Sequence, residues 1–453
     1  MPSTQNPMVL ITPLKPALIH GVAQKLSVLV RIQAPDPDPA QQKVRRPYHL
    51  SLVIDRSGSM SGVPLYEAVR CARHIIDRLE ATDVASLVAF DNEVATLAPA
   101  APVGDRSALY VALARINAGG STDLHGGWKA GAATLLAGAA TSALARVILL
   151  SDGNANVGAT TDAGAIAALC AEAAAKGVTT STYGLGRSFN EELMVEMANK
   201  GNGNAYYGAT HADLFEPFAE EFDLISSLYA RHVRLSLTAP PGVTITLRND
   251  YPVEEREGFP AIRLPDIPFG AEAWVLLDLE VAVGLALESG NPLLQAGVTA
   301  TTPEGLPLFF ADATLALPAM MPPAWEALLP DPLVLARQAE IEAGKLLEAA
   351  RQAALQGDWD VIRKMIAEAR LRFADHPWVI EVLESMAGLA ATMDSSRFRK
   401  EAMYSSRRMT SRLSSKAEAL GSLAAEAAEP SFLRRRSAQG KAQFARRPED
   451  KKP

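Results

Sequence analysis

Cysteine is nearly absent: Cys71 and Cys170 are the only two in 453 residues. Neither belongs to a CxxC pair, and His74, three residues after Cys71, has no companion ligands. This argues against a disulfide framework or a structural zinc site, and both cysteines read as reduced core thiols. Long apolar runs are missing too. Ala130–Ala145, the longest uncharged stretch, has 16 residues, carries Gly and Thr, and stops at Arg146. A bilayer span needs roughly 18 to 20, so no transmembrane helix is expected. Met1–Pro16 has neither a basic n-region nor a continuous apolar h-region, which makes the cytoplasm the expected location. Nucleotide and hydrolase signatures are also lacking. There is no GxxxxGK[ST], Gly184-x-Gly186 stands without the rest of a dinucleotide fingerprint, and Gly58-Ser59-Met60-Ser61-Gly62 puts Met at the centre of what would be a nucleophile elbow.

What is present describes a folded, multidomain chain. The length is about three times that of a typical domain. With 48% hydrophobic and 21% charged residues, the composition is that of a soluble globular protein. Charge is unevenly spread: Ser395–Pro453 holds 15 Lys and Arg against 6 Asp and Glu, a local +9 that leaves −16 on the rest of a chain whose net charge is −7. An acidic body with a basic arm is the expected picture.

Between residues 48 and 229 apolar runs alternate with helical periods, predicting an α/β domain with a doubly wound, mostly parallel sheet. Tyr48–Asp55, Ala145–Asp152 and Val178–Gly186 are buried-strand runs. Ala85–Phe90 and Glu93–Ala98, separated by Asp91 and Asn92, predict a hairpin with an antiparallel edge strand. Residues 1–47 and 230–320 share a different texture of short alternating strands broken by Pro and Gly, so they are expected to form one flanking antiparallel β-sandwich. A Pro-rich linker and helical hairpin follow over 321–394, with helices at Leu333–Gln356, Trp359–Phe373 and Pro377–Met393 similar in length to a tetratricopeptide unit. Residues 395–453 read as a basic Ser/Arg-rich tail, part helix and part disordered.

The chemistry concentrates at strand ends. Asp55-Arg56-Ser57-Gly58-Ser59 closes the first α/β strand, and one carboxylate with two hydroxyls at alternate positions on a tight turn offers only oxygen. That suits a hard divalent cation rather than zinc or copper. Thr122, in GGSTDLHGG, and Asp152, closing ARVILLSDG, are candidates for further donors. Asp123 reads as a helix cap or supporting acceptor, His125 as a polar residue at a helix start, and His74 as a partly exposed helical residue.

DRSGSM, GGSTDLHGGW and VILLSDGNANVG together closely resemble the three loops of the von Willebrand factor type A domain with an intact metal-ion-dependent adhesion site. The whole layout is more loosely similar to bacterial proteins akin to the inter-alpha-trypsin-inhibitor heavy chains. The resemblance implies that Ser57, Ser59 and Thr122 supply hydroxyl ligands, that Asp55 and Asp152 bind directly or through water, and that a partner's acidic group fills the remaining position. The expected ion is Mg2+, with Mn2+ or Ca2+ as other occupants. The expected function is non-enzymatic: a bacterial adaptor or scaffold that binds a protein partner through an Asp, Glu or terminal carboxylate, with self-association open. The alternative is a scaffold bound to nucleic acid or an anionic surface through the basic tail. Arg407-Arg408-x-Thr410 and Arg434-Arg435-Arg436-Ser437 also match basophilic kinase targets.

Overall fold

The computed structural model describes residues 7–37, 47–136, 144–185, 189–208, 211–256, 259–286 and 290–416, together with Glu418, Leu433 and Arg435. The chain folds as two compact units, one drawn from the segment up to Lys43 and from Ser227–Ala438, the other built around Val44–Ser226. It opens with β1 (Met8–Pro13), β2 (Leu18–Ile19) and β3 (Gln24–Gln33), which belong to the first unit.

The α/β unit follows in the order β4 (Tyr48–Asp55), α1 (Val63–Arg78), β5 (Val84–Phe90), β6 (Val94–Pro102), α2 (Ser107–Leu113), α3 (Leu124–Leu136), β7 (Leu144–Ser151), α4 (Ala163–Ala175), β8 (Val178–Leu185), α5 (Glu191–Lys200), β9 (Asn202–Gly208) and α6 (His211–Ser226). Its sheet has the order β6-β5-β4-β7-β8-β9, with only β6 antiparallel. All of β7 and β8, and all of β4 except His49, are buried, as expected of parallel strands covered on both faces. The β5–β6 hairpin is present, but β6 begins at Val94. Asp91 Oδ1 accepts the Glu93 N–H at 2.7 Å, which draws Glu93 into the turn. Cys71 and Cys170 are buried and unbonded to each other, and burial pushes both thiols up. From β4 the chain first builds outward to β6, then returns to build β7, β8 and β9 on the other side. The direction of winding therefore reverses between β4 and β7, and the crevice at their carboxyl ends is where such sheets place ligands.

After Ser227 the first unit resumes with β10 (Leu228–Thr238), β11 (Val243–Leu247), β12 (Val253–Arg256), β13 (Phe259–Arg263), β14 (Ile267–Pro268), β15 (Ala271–Val281), β16 (Pro292–Thr301), β17 (Pro307–Phe309), β18 (Ala313–Ala316) and β19 (Ala319–Met320). Helices α7 (Pro322–Glu326), α8 (Pro332–Gln356), α9 (Trp359–Arg372), α10 (Pro377–Thr392) and α11 (Ser395–Ser411) come next, then β20 (Ser414–Ser415). One antiparallel sheet runs β1-β3-β15-β11 with β20 added to β15; the other runs β12-β13-β10-β16-β17 with β14 and β18 at its flanks. β3 pairs with β15 over ten positions, from Gln24 opposite Val281 to Gln33 opposite Glu272. Of the N-terminal strands, β3 is therefore an interior member, with β1 at the edge, of a sheet completed more than 200 residues later.

Two expectations are corrected here. The helices do not form a separate domain over 321–394: Val334 and Ile341 of α8 share a core with Leu29 of β3 and with Trp274 and Leu276 of β15. Nor is the segment after 394 a free arm where it is described. α11 lies along α8, and Phe398, Ala402 and Met409 join the helical core. Gly344 of α8 makes this approach possible, since a Cβ there would sit 2.9 Å from Thr410 Cγ2. Arg412 and Arg435, among the described basic residues of this segment, are spent internally. Arg412 donates to both Glu418 oxygens at 2.6 and 2.7 Å, Arg337 donates to Glu340 at 2.8 Å and Glu418 at 3.0 Å, and Arg435 reaches Glu418 at 3.2 Å. Thr410 is 1% exposed, so that kinase match falls in the core, while Ser437 lies outside the described residues. Local charge counting does not show this network, because it joins Arg337 of α8 to Glu418, 81 residues away.

Candidate metal centre

The carboxyl ends of β4 and β7 carry the first and third candidate loops. Asp55 is the last residue of β4, and Ser151 the last of β7 with Asp152 just beyond, so the two acids flank the point where the winding reverses. Asp55 is fully buried. Its Oδ1 accepts the Ser57 N–H at 2.9 Å and its Oδ2 accepts the Ser151 hydroxyl at 2.6 Å. The Asp55–Ser57 turn brings the Ser57 and Ser59 hydroxyls within 3.2 Å of each other. Ser57 is buried and Ser59 faces solvent.

Thr122 stands two residues before α3, buried, on a loop laced to both others. The Gly58 N–H donates to the Gly120 carbonyl and the Gly119 N–H to the Arg56 carbonyl, each at 2.9 Å. On the other side Asn156 holds the Thr122 peptide from both faces: its Oδ1 accepts the Thr122 N–H at 2.7 Å, and its own N–H donates to the Thr122 carbonyl at 3.1 Å. Asp123 caps α3, with Oδ1 accepting the Gly126 N–H at 2.8 Å, which is the cap read from the sequence. A side chain at Gly158, whose φ is 111°, would collide with that carboxylate, so glycine is needed for the third loop to pass. His125 is buried at the start of α3, and His74 is half-buried on α1 with its ring 6.5 Å from that of Phe218.

All five predicted donors, Asp55, Ser57, Ser59, Thr122 and Asp152, thus stand on loops tied together at one end of the sheet. The Asp55 carboxyl is pushed up from 3.8 to about 6: burial and, less, the charge of Asp152 outweigh the hydrogen bonds from Ser151 and Ser57 that would lower it. Its hydrogen-bond donors are neutral, and Arg56, next in sequence, turns instead to Asp91 Oδ1 at 3.3 Å. Among the described residues no three His, Cys, Asp or Glu side chains gather as a metal site. This cluster has two carboxylates, and hydroxyls make up the rest. An all-oxygen set with low charge and one buried carboxylate that has no cationic partner among the described residues fits a hard divalent ion. Ser151 and Asn156 were missed in the sequence. A Ser inside an apolar strand and an Asn in a turn are too ordinary to stand out, and only the spacing from Asp152 to Asn156 carries a trace of the signal.

Residues 49–220 match the family model of the von Willebrand factor type A domain. An uncharacterized protein of Synechocystis is 27% identical over 266 residues, covering 56% of this chain and 61% of its own length. The Escherichia coli protein YfbK is 26% identical over 197 residues, covering 43% of this chain and 34% of its own. The alignments therefore span less than two thirds of either relative. Among solved structures, a von Willebrand factor type A protein from Catenulispora acidiphila superposes with a TM-score of 0.63 at 17% identity, covering 88% of this chain and 91% of that one. The ArnB paralog VWA2 from Sulfolobus acidocaldarius gives 0.55 at 16% identity, covering 88% and 99%. At such identities the likeness is one of fold, and it extends well beyond the α/β unit. With its strand order, its three loops and the matched span, the α/β unit of this chain is a von Willebrand factor type A domain, a module of a protein-interaction and adhesion family.

Proposed function

We propose that the α/β unit binds one divalent cation, Mg2+ by preference, through Asp55, Ser57, Ser59, Thr122 and Asp152, and that the ion captures a carboxylate of a partner protein. The observation that carries this reading is the buried Asp55 carboxylate, set with Asp152 and three hydroxyls where the sheet winding reverses, and hydrogen-bonded among the described residues by neutral groups. An ion there would supply the missing positive charge and offer an open coordination position to an acidic oxygen. The chain acts on this view as an adaptor rather than an enzyme. In support, Ser57 Oγ is hydrogen-bonded to Ser59 Oγ and not to a histidine base that would activate it.

Titration with Mg2+ or Mn2+ tests the reading. If the ion binds only the folded state, a hundredfold excess over its dissociation constant should stabilise the chain by about 2.7 kcal/mol, and Asp55→Ala should abolish the shift. Thr122→Ala should lose the ion while far-UV circular dichroism stays native. A melt that neither ion nor chelator moves would sink the metal site and, with it, carboxylate capture.

A further inference from the structure

The two most exposed large apolar side chains described in the α/β unit are neighbours. Val63 is 66% and Tyr66 60% exposed, ahead of Val111 at 53%. Both stand on the first turn of α1, which begins four residues after Ser59. Residues three apart on a helix share a face, so the two make one patch beside the candidate ion site. Arg70, one turn further along the same face, lies with its guanidinium 5.4 Å from the centre of the Tyr66 ring and 3.6 Å from Glu67 Oε1, with its side chain 43% exposed. The polarity of the strip is one-sided. No acid stands in the first turn of α1 and no side chain caps it, so the positive end of the helix faces whatever docks at the loop. Glu67 is buried beneath Arg70, and exposed Arg73 lies over Tyr110.

We propose that this face of α1 is the specificity rim of the capture site and is made for an acidic protein segment. A large apolar side chain of that segment covers Val63 and Tyr66, and a second carboxylate pairs with Arg70, beyond the carboxylate taken by the ion. The proposal rests on the metal reading above for its first contact. Three features favour this occupant over a purely apolar one: the cation, the uncapped helix end and the arginines call for negative charge, while an exposed aromatic beside an aliphatic supplies a desolvated anchor between them. From Val63 to Arg70 is about 10 Å of helix, which some three residues of extended chain would span, so the apolar residue and second acid should lie close together in the partner.

The test is selection of a random phage-displayed peptide library on the full chain in Mg2+, with elution by chelator. The eluted sequences should share an acid, a large apolar residue and a second acid within a few positions. A synthetic peptide of that kind should bind Tyr66→Ala and Arg70→Glu at least about tenfold more weakly than the unsubstituted chain, a loss of the size expected for a hot-spot contact. Mn2+ binding and circular dichroism of both variants should be unchanged, since neither residue is an ion ligand or part of the core. If the unsubstituted chain binds no Mn2+, the metal reading itself has failed. If it binds Mn2+ but no peptide is enriched, or the enriched peptides bind both variants equally well, the rim assignment is wrong while the metal site stands. Dimerisation of the chain that is lost in Tyr66→Ala would assign the face to self-association and overturn the acidic partner.

Discussion

Asn156 illustrates how much of the candidate site depends on residues outside the candidate ligand set. Thr122 is buried, and its peptide N–H has the Asn156 side chain as its partner at 2.7 Å. Asn156→Ala leaves that donor unpaired in the interior, which costs about 1 to 3 kcal/mol. The same change frees the loop to move the Thr122 hydroxyl. Asn156→Ala should therefore lower the melting temperature and weaken Mn2+ affinity, whereas Thr122→Ala should weaken affinity with a smaller loss of stability, because it removes a hydroxyl and leaves the peptide clamp in place. Calorimetric Mn2+ titration and thermal melts of the two variants check this, and an Asn156→Ala protein indistinguishable from the parent would remove the clamp from the argument. The candidate cluster was legible in the sequence because acids and hydroxyls stand at strand-end loops, where an α/β sheet places ligands. Ser151 and Asn156 were not, because hydrogen-bonding to a neighbouring peptide or carboxylate leaves no compositional mark.

Among the elements, the packing of α11 and the pairing of β20 were the least legible and show why. As a sequence, Ser395–Ser411 is dominated by polar and basic residues, which suggests a solvated arm. In the fold, its apolar residues meet α8, and the chain beyond it enters a buried charge network. Glu418 is the hub of that network. Burial alone would raise its carboxyl, but the guanidinium groups of Arg412, Arg337 and Arg435 outweigh burial and hold it well below the ordinary value of 4.5. A carboxyl lowered by folding contributes stability that is present above its unfolded value and lost as pH falls below it. Glu418→Gln should therefore be less stable than the parent at neutral pH, with the difference shrinking as pH falls through about 4.5 and below, where the parent's carboxylate begins to cost free energy to keep ionised. Urea melts of both proteins across that range would show it; a gap that stays constant with pH would mean the network contributes by packing alone. Ending the chain at Asp394 should do more, since it removes Phe398, Ala402 and Met409 from the helical core and Ser414 from Glu272. The expected product melts early, where a dispensable arm would leave the melt unchanged.

On the scale of the whole molecule, the order of elements along the chain sets which parts can be separated. The von Willebrand factor type A domain interrupts a β region whose strands come from both sides of it, so the first 40 residues are structurally coupled to strands that follow Ser227. β3 lies between β1 and β15, and all ten of its register partners on β15 lose their hydrogen-bonding neighbour if it is removed. The exposed surface would be severe: Trp274, Val275, Leu276, Leu277 and Leu279 of β15 are fully buried in the intact chain. Leu29 also leaves the core it shares with Val334 and Ile341, and Asp278 loses the Ser27 hydroxyl and the Lys25 ammonium while keeping Arg248 at 2.7 Å. A strand left with a long unpaired edge and apolar residues on both faces is a template for association, so a chain lacking residues 1–40 should aggregate or show an early transition. The α/β sheet, by contrast, draws all six of its strands from residues 48–208 and keeps every ladder. Differential scanning calorimetry with and without Mn2+ separates the two effects. In the truncated chain the β-region transition should fall or vanish into aggregation, while a later transition that Mn2+ moves upward persists. A truncated chain that stays soluble and melts as a whole at the original temperature would show that β1 and β3 are not integral to the sheet they occupy.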